Sequence, residues 1–195
     1  MTDEFKTISD KIGEGYYSEK RSKFLAFAHH INSEQMAKAI IAEYRKKYFD
    51  ARHCCYAYAV GPEREEYRQN DDGEPSSTAG KPIMGQILSN DLTDILIVAV
   101  RYYGGVNLGT SGLIEAYRTA AADAIRNSEI VISQVEEIVK FDFTYPMMNG
   151  VMRIVKEMNP RIVSRDYNTT CSITLSIRKS KVEELKSRLN GLAFQ

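Results

Sequence analysis

Apolar positions along the chain switch between unbroken runs, strict alternation and helical spacing, and the switches lay out its elements. Residues 24–31, Phe-Leu-Ala-Phe-Ala-His-His-Ile, predict a strand. Asn32-Ser33 supplies a helix N-cap, and Met36, Ile40, Ile41, Tyr44 and Tyr48 follow at helical spacing with Lys and Arg between them. Residues 54–60 predict a second strand, closed by Gly61-Pro62. Residues 62–79 are polar and predict a long loop, and long loops more often carry function than none. A short helix follows from about Pro82 to Leu88. The unbroken apolar run Ile95–Val100 predicts a central strand buried on both faces. Beyond a glycine-rich stretch, Leu113, Tyr117, Ala120, Ala121 and Ala124 mark one face of a long helix. Residues 128–134 read as a hinge.

The tail has its own rhythm. Val139, Phe141, Phe143 and Tyr145 alternate with polar residues, predicting a strand buried on one face. Met148, Val151, Met152 and Val155 return to helical spacing, and that helix must end near Asn159-Pro160. Cys171, Ile173, Leu175 and Ile177 alternate again and can pair with a strand near Ile162-Val163 through a turn at Asn168. Ser180-Lys181-Val182-Glu183 has the form of a capping box for a last helix carrying Val182, Leu185 and Leu189. The order β-α-β-β-α is most of a ferredoxin-like unit, whose final strand could only be Leu192-Ala193-Phe194. Two domains are expected, residues 1–130 and 135–195.

Composition narrows the class. At 43% hydrophobic and 27% charged residues, the chain can build a packed core. Its 26 basic and 26 acidic residues cancel, which argues against binding nucleic acid by charge excess alone but leaves room for a local basic groove. No apolar run is long enough to cross a membrane, and the first residues lack a signal-peptide pattern. Cys54, Cys55 and Cys171 suit neither a disulfide framework nor a CxxC pair, which points to reduced thiols in the cytoplasm. Adjacent cysteines on one strand face opposite sides, so Cys54 and Cys55 could not easily share a metal.

Several motifs have two readings. Gly104-Gly105 through Gly109-Thr110-Ser111-Gly112 opens a helix whose free N–H groups can hold an anion, or else the glycines permit a tight exit from the central strand. It lacks the ending of a P-loop, and Thr110 and Ser111 fit helix capping better than catalysis. Asp71, Asp72 and Glu74 could ligate a divalent cation or form ordinary turns. Arg21, Lys23 and Arg101, with Tyr102 and Tyr103, could contact RNA phosphates and bases, while Arg21 and Lys23 could equally be a solvated strand edge. No complete set of nucleophile, base and orienting group is present, which leans away from an enzyme.

Three stretches carry a family resemblance: Lys20-Arg21-Ser22-Lys23-Phe24; Asp71-Asp72-Gly73-Glu74-Pro75 with Thr78-Ala79-Gly80-Lys81-Pro82; and Val100-Arg101-Tyr102-Tyr103-Gly104-Gly105 through Leu108-Gly109, Gly112-Leu113 and Ala116-Tyr117. With His53, these segments in this order resemble the YigZ/IMPACT family over about the first two-thirds of the chain. The resemblance implies an α+β architecture, with an N-terminal ribosomal protein S5 domain 2-like fold and a C-terminal ferredoxin-like domain similar to domain V of elongation factor G. It implies translation-linked regulation, with RNA or a ribosome-associated protein as partner, no membrane and no cofactor. The alternative is an enzyme or binding protein for a phosphorylated or nucleotide ligand held at the glycine-rich turn. Eukaryotic relatives carry a further N-terminal domain that 195 residues are not expected to hold. The functional surface so implied comprises Arg21, Ser22, Lys23, His53, Asp72, Gly73, Glu74, Pro75, Thr78, Arg101, Tyr102, Gly104, Gly105, Gly109 and Gly112. Of the three histidines, His53 stands above His29 and His30 because the resemblance reaches it. The pattern leads one to expect a Gly before Thr78, where this chain has Ser77.

Overall fold

The computed structural model describes residues 3–167 and 170–194. The chain divides into two compact units, Phe5–Ser133 and the residues from Gln134 onward with Asp3 and Glu4. In chain order the first contains β1 (Glu4–Ile8), β2 (Gly13–Glu19), β3 (Ser22–His30), α1 (Glu34–Lys47), β4 (His53–Val60), β5 (Glu66–Asn70), α2 (Gly80–Ser89), β6 (Ile95–Tyr102), α3 (Gly109–Arg126) and β7 (Ile130–Gln134). Five strands form one sheet in the order β2-β3-β6-β4-β5, with every neighbouring pair antiparallel. β1 and β7 pair in a separate two-stranded sheet.

The central strand is β6, and Ile95 through Val100 are fully buried. Its alternate residues face two different layers, which is why the sequence there is continuously apolar. Ile95, Ile97 and Ala99 join Phe24, Ala26, Cys55 and Ala57 beneath α2 and α3. Leu96, Val98 and Val100 join Phe27, Cys54, Tyr56 and Tyr58 beneath α1. Each large side chain buried this way stabilises the unit by about 1.5–3 kcal/mol. As the alternation requires, Cys54 and Cys55 lie in opposite layers.

Helix α1 starts where its cap predicts, the Ser33 side chain accepting from the Met36 N–H at 3.3 Å. Helix α3 lies close on β2 because Ala116, Ala120, Ala121 and Ala124 present only methyl groups. At Gly15 a Cβ would come within 2.3 Å of the Ala120 carbonyl oxygen. Thr110 and Ser111 do not cap α3: the helix begins at Gly109, so both lie inside its first turn, and no side chain caps it.

Strands stand where none was expected. β5 lies inside the predicted loop, and its Glu-Tyr-Arg-Gln-Asn sequence suits a solvated edge strand. β7 occupies the predicted hinge, while β1 and β2 precede the first predicted strand.

The second unit contains β8 (Glu136–Phe143), α4 (Met148–Met158), β9 (Arg161–Tyr167), β10 (Cys171–Arg178) and α5 (Val182–Asn190). β10 lies between β8 and β9 and is antiparallel to both. Val139, Phe143, Ile173 and Leu175 meet Val151, Ile154, Val182, Leu185 and Leu189 in one core. Asn159 ends α4 in the left-handed region, with φ 51°, just before Pro160. The turn expected at Asn168 lies outside the described residues.

Three expectations for this unit fail. Tyr145 leaves the strand for a 3-10 turn, Tyr145–Met147, because Pro146 cannot donate to the ladder. The capping box is not formed: Ser180 sits in a 3-10 turn ahead of α5, and its N–H donates to Asp3 Oδ2 at 2.9 Å. The Asp3 pKa is lowered, first by a hydrogen bond from the Ser180 side chain and further by this N–H and by Arg178. The fourth strand is replaced by a 3-10 turn, Gly191–Phe194, with Leu192 packed on the core against Gly150.

Candidate functional site

The site begins as one row across the sheet. Arg101 of β6 stands opposite both Phe24 of β3 and His53 of β4, so all three side chains share the face covered by α2 and α3. Arg101 is the polar end of an otherwise apolar strand and is only 5% exposed.

Its partner, Glu74, is 8% exposed and comes from the loop after β5. Arg101 Nη1 donates to both Glu74 carboxylate oxygens, at 2.7 and 3.0 Å, and the Tyr117 hydroxyl of α3 donates to Oε1 at 2.7 Å. The guanidinium carbon lies 5.5 Å from the ring centroids of both Phe24 and Tyr103, an arrangement favourable to a cation. Arg101 Nε is buried without a hydrogen-bond partner. Beneath Tyr117, Cys55 Sγ lies 3.4 Å from its oxygen. Burial pushes the pKa values of the Tyr117 hydroxyl and the Cys55 thiol far up, so both keep their protons at neutral pH. His53 Nδ1–H donates to the Asp72 carbonyl at 2.7 Å, which leaves Nε2 facing Glu74 at 3.7 Å.

The acidic loop spends its other carboxylates on itself and its neighbours. Asp71 Oδ1 accepts from the N–H groups of Ala79 and Gly80, capping α2 in place of a local side chain, and Oδ2 accepts from Ser77 N–H. Asp72 accepts from Cys54 N–H at 2.7 Å and from Arg45 at 2.8 Å. Asp72 and Gly73 make the turn at φ 45° and 86°. Thr78 is buried, its hydroxyl donating to the Pro75 carbonyl at 2.6 Å. Ser77 holds φ 63°, a left-handed conformation that glycine adopts more readily. Among the described residues, no group of three or more His, Cys, Asp or Glu is placed to hold a metal ion.

The first motif is stitched to the third. Lys20 and Arg21 form the two-residue turn between β2 and β3, both at positive φ as a type I′ hairpin requires. Ser22 is buried and accepts from Gly104 N–H at 3.1 Å. A Cβ on Gly104 would lie 2.2 Å from the Arg21 carbonyl carbon, so only glycine fits there. Gly105, at φ 85°, is exposed, and Gly112 lies against Leu108.

A cleft of about 480 Å³ opens over the buried pair. Of the predicted site residues it gathers His53, Glu74, Pro75, Arg101 and Gly109, and adds Arg52, Tyr103, Asn107, Leu108, Thr110 and Leu113. Arg21, Lys23, Gly104, Gly105 and Gly112 do not line it, and Asp72, Gly73 and Thr78 support the loop from behind. Arg21 and Lys23 are exposed. Tyr102 turns to the α1 layer and donates to Asp50 at 2.9 Å. His29 and His30 bond Tyr44 and Thr7 away from the site. Arg52 escapes a sequence reading because one arginine beside a strand resembles any solvated cation. Tyr117 reads as core, and only its hydroxyl reveals a second role.

Residues 20–125 match the family model of the Impact N-terminal domain. The chain is 30% identical over 174 residues to the Escherichia coli (strain K12) protein "IMPACT family member YigZ", covering 87% of this chain and 84% of that one. It is 43% identical over 109 residues to an IMPACT family member of Thermus thermophilus, covering 56% and 58%. A solved structure of a hypothetical protein superposes with a TM-score of 0.79 at 28% identity, covering 97% of this chain and 92% of that one.

Proposed function

The chain belongs to the YigZ/IMPACT family, and we propose from that membership that it is a cytoplasmic, translation-linked regulatory protein that acts by binding RNA or a ribosome-associated protein. The observation that carries this reading is the stitching of three distant motif segments into one surface, through Ser22, Gly104 and the Arg101–Glu74 pair. Binding fits the chemistry better than catalysis. Glu74 is engaged by Arg101 and Tyr117, and the buried Cys55 is held as a thiol.

The basic contacts divide by burial. Arg101 is enclosed in the wall of a small cleft and shapes the site, so a continuous RNA backbone does not reach it. Arg21 and Lys23 project from the hairpin into solvent and are free to meet phosphates. The test is co-sedimentation of the whole chain with ribosomes from about 50 to about 200 mM salt. Binding should weaken with salt. In an Arg21→Ala, Lys23→Ala variant it should weaken further, with the log–log salt slope reduced by about 1.5. No co-sedimentation at low salt, or a variant that binds like the wild type, would overturn the proposal.

A further inference from the structure

We infer that the cleft over Arg101 binds a terminal phosphate, the phosphomonoester group of a small molecule. This goes beyond the ribosome reading and does not depend on it. Three donor groups from separate elements line one small space. The first is the start of α3, an 18-residue helix whose opening residues Gly109 and Thr110 lie at the cleft with no side-chain cap. Its free N–H groups and dipole favour an anion. The second is Arg101, 95% buried in the cleft wall, whose Nη1 holds Glu74 while Nε has no acceptor. Buried N–H groups are rarely left that way, and a phosphate oxygen supplies the missing partner. The third is Arg52, exposed at the rim and paired with no carboxylate among the described residues.

The charge balance agrees. Glu74 neutralises Arg101, so the net attraction at the cleft comes from Arg52 and the helix end. Three separate donor groups suit a tetrahedral oxyanion better than a planar carboxylate, which one fork satisfies. Pro75, Leu108, Leu113 and the Tyr103 ring give an organic group apolar contact beside the phosphate. At about 480 Å³ the cleft lies in the lower part of the small-molecule range, which favours a terminal phosphate over a continuous strand.

The test is a titration of the ¹⁵N-labelled full chain with ribose 5-phosphate, inorganic phosphate, ribose and acetate. Ribose 5-phosphate should saturably shift the Gly109 and Thr110 amides and the Arg101 Nε–H, and should bind tighter than inorganic phosphate. Ribose should shift none of them. Arg52→Ala, a surface change, should weaken binding about tenfold. No saturable shift with ribose 5-phosphate, or the same affinity in Arg52→Ala, overturns the site. Equal affinity for acetate overturns the phosphate assignment, and equal affinity for inorganic phosphate overturns the ester assignment.

Discussion

Replacing Glu74 with alanine removes the partner of a buried charge. The Arg101 and Glu74 side chains are 6% and 3% exposed, so water reaches neither freely. The substitution deletes the two bonds from Arg101 Nη1 and the acceptor of the Tyr117 hydroxyl. Breaking a buried ion pair from one side costs about 3–5 kcal/mol, and a stranded hydroxyl about 1–3 kcal/mol. The two losses overlap, and the adjoining cleft lets water reach part of the space, so a total of about 4 kcal/mol is expected. With a urea m-value of about 2 kcal/mol/M, the midpoint of the Phe5–Ser133 unit should fall by about 2 M. Urea unfolding followed through amide resonances of that unit measures it. Glu74→Gln, which keeps one acceptor oxygen for Arg101 and Tyr117 but loses the other and the charge, should lose roughly half as much. The double change Glu74→Leu with Arg101→Met should recover much of the loss, since apolar replacements of buried pairs are often neutral or better. A Glu74→Ala protein within about 1 kcal/mol of the wild type would refute the reasoning.

Gly104→Ala should cost at least about 2 kcal/mol in thermal unfolding, because the new Cβ meets backbone at 2.2 Å that cannot yield without breaking the hairpin; a neutral result would contradict that geometry. Ser77→Gly should stabilise by about 0.5–1 kcal/mol in urea titration by relieving a left-handed residue, and any loss would contradict it. Burial, then the charge of Asp72, raises the Cys54 thiol from 9.0 to about 11, and burial also raises Cys55 and Tyr117. Above about pH 9 the unfolded chain therefore releases protons that the folded chain keeps, so stability is complete below that pH and falls as pH rises toward 11. Melting curves at pH 8 and about 10.5 should show the fall, and Cys54→Ala should reduce it; a flat profile would contradict the assignment. Cys54, Cys55 and Cys171 should all resist a thiol reagent until the chain unfolds, as burial predicts.

The elements legible in the sequence are those whose buried positions carry apolar side chains. β6, the long face of α3 and the alternation in β8 and β10 stand out because Ile, Val, Leu and Ala fill their cores. β2 is hidden because its buried positions include Gly13 and Gly15, which make room for α3 and leave no apolar signal. β5 is hidden because every residue but its last is exposed. At the site, the motifs named the right segments but could not sort their side chains. Arg101 reads as a surface cation until the register sets it beside Phe24 and His53. Asp72 reads as an equal of Glu74, yet it supports the loop while Glu74 reaches the cleft. Ser77 shows the opposite case: the expected glycine was a statement about backbone angle, and the angle is there without it.

The central claim, that the stitched motif surface is where this protein meets the translation apparatus, is tested most directly by amide hydrogen exchange of the whole chain with and without ribosomes. Protection concentrated at residues 20–23 and 101–110 is the predicted result. Protection confined to residues 135–195, with the hairpin and the glycine-rich turn exchanging as in the free chain, would contradict it.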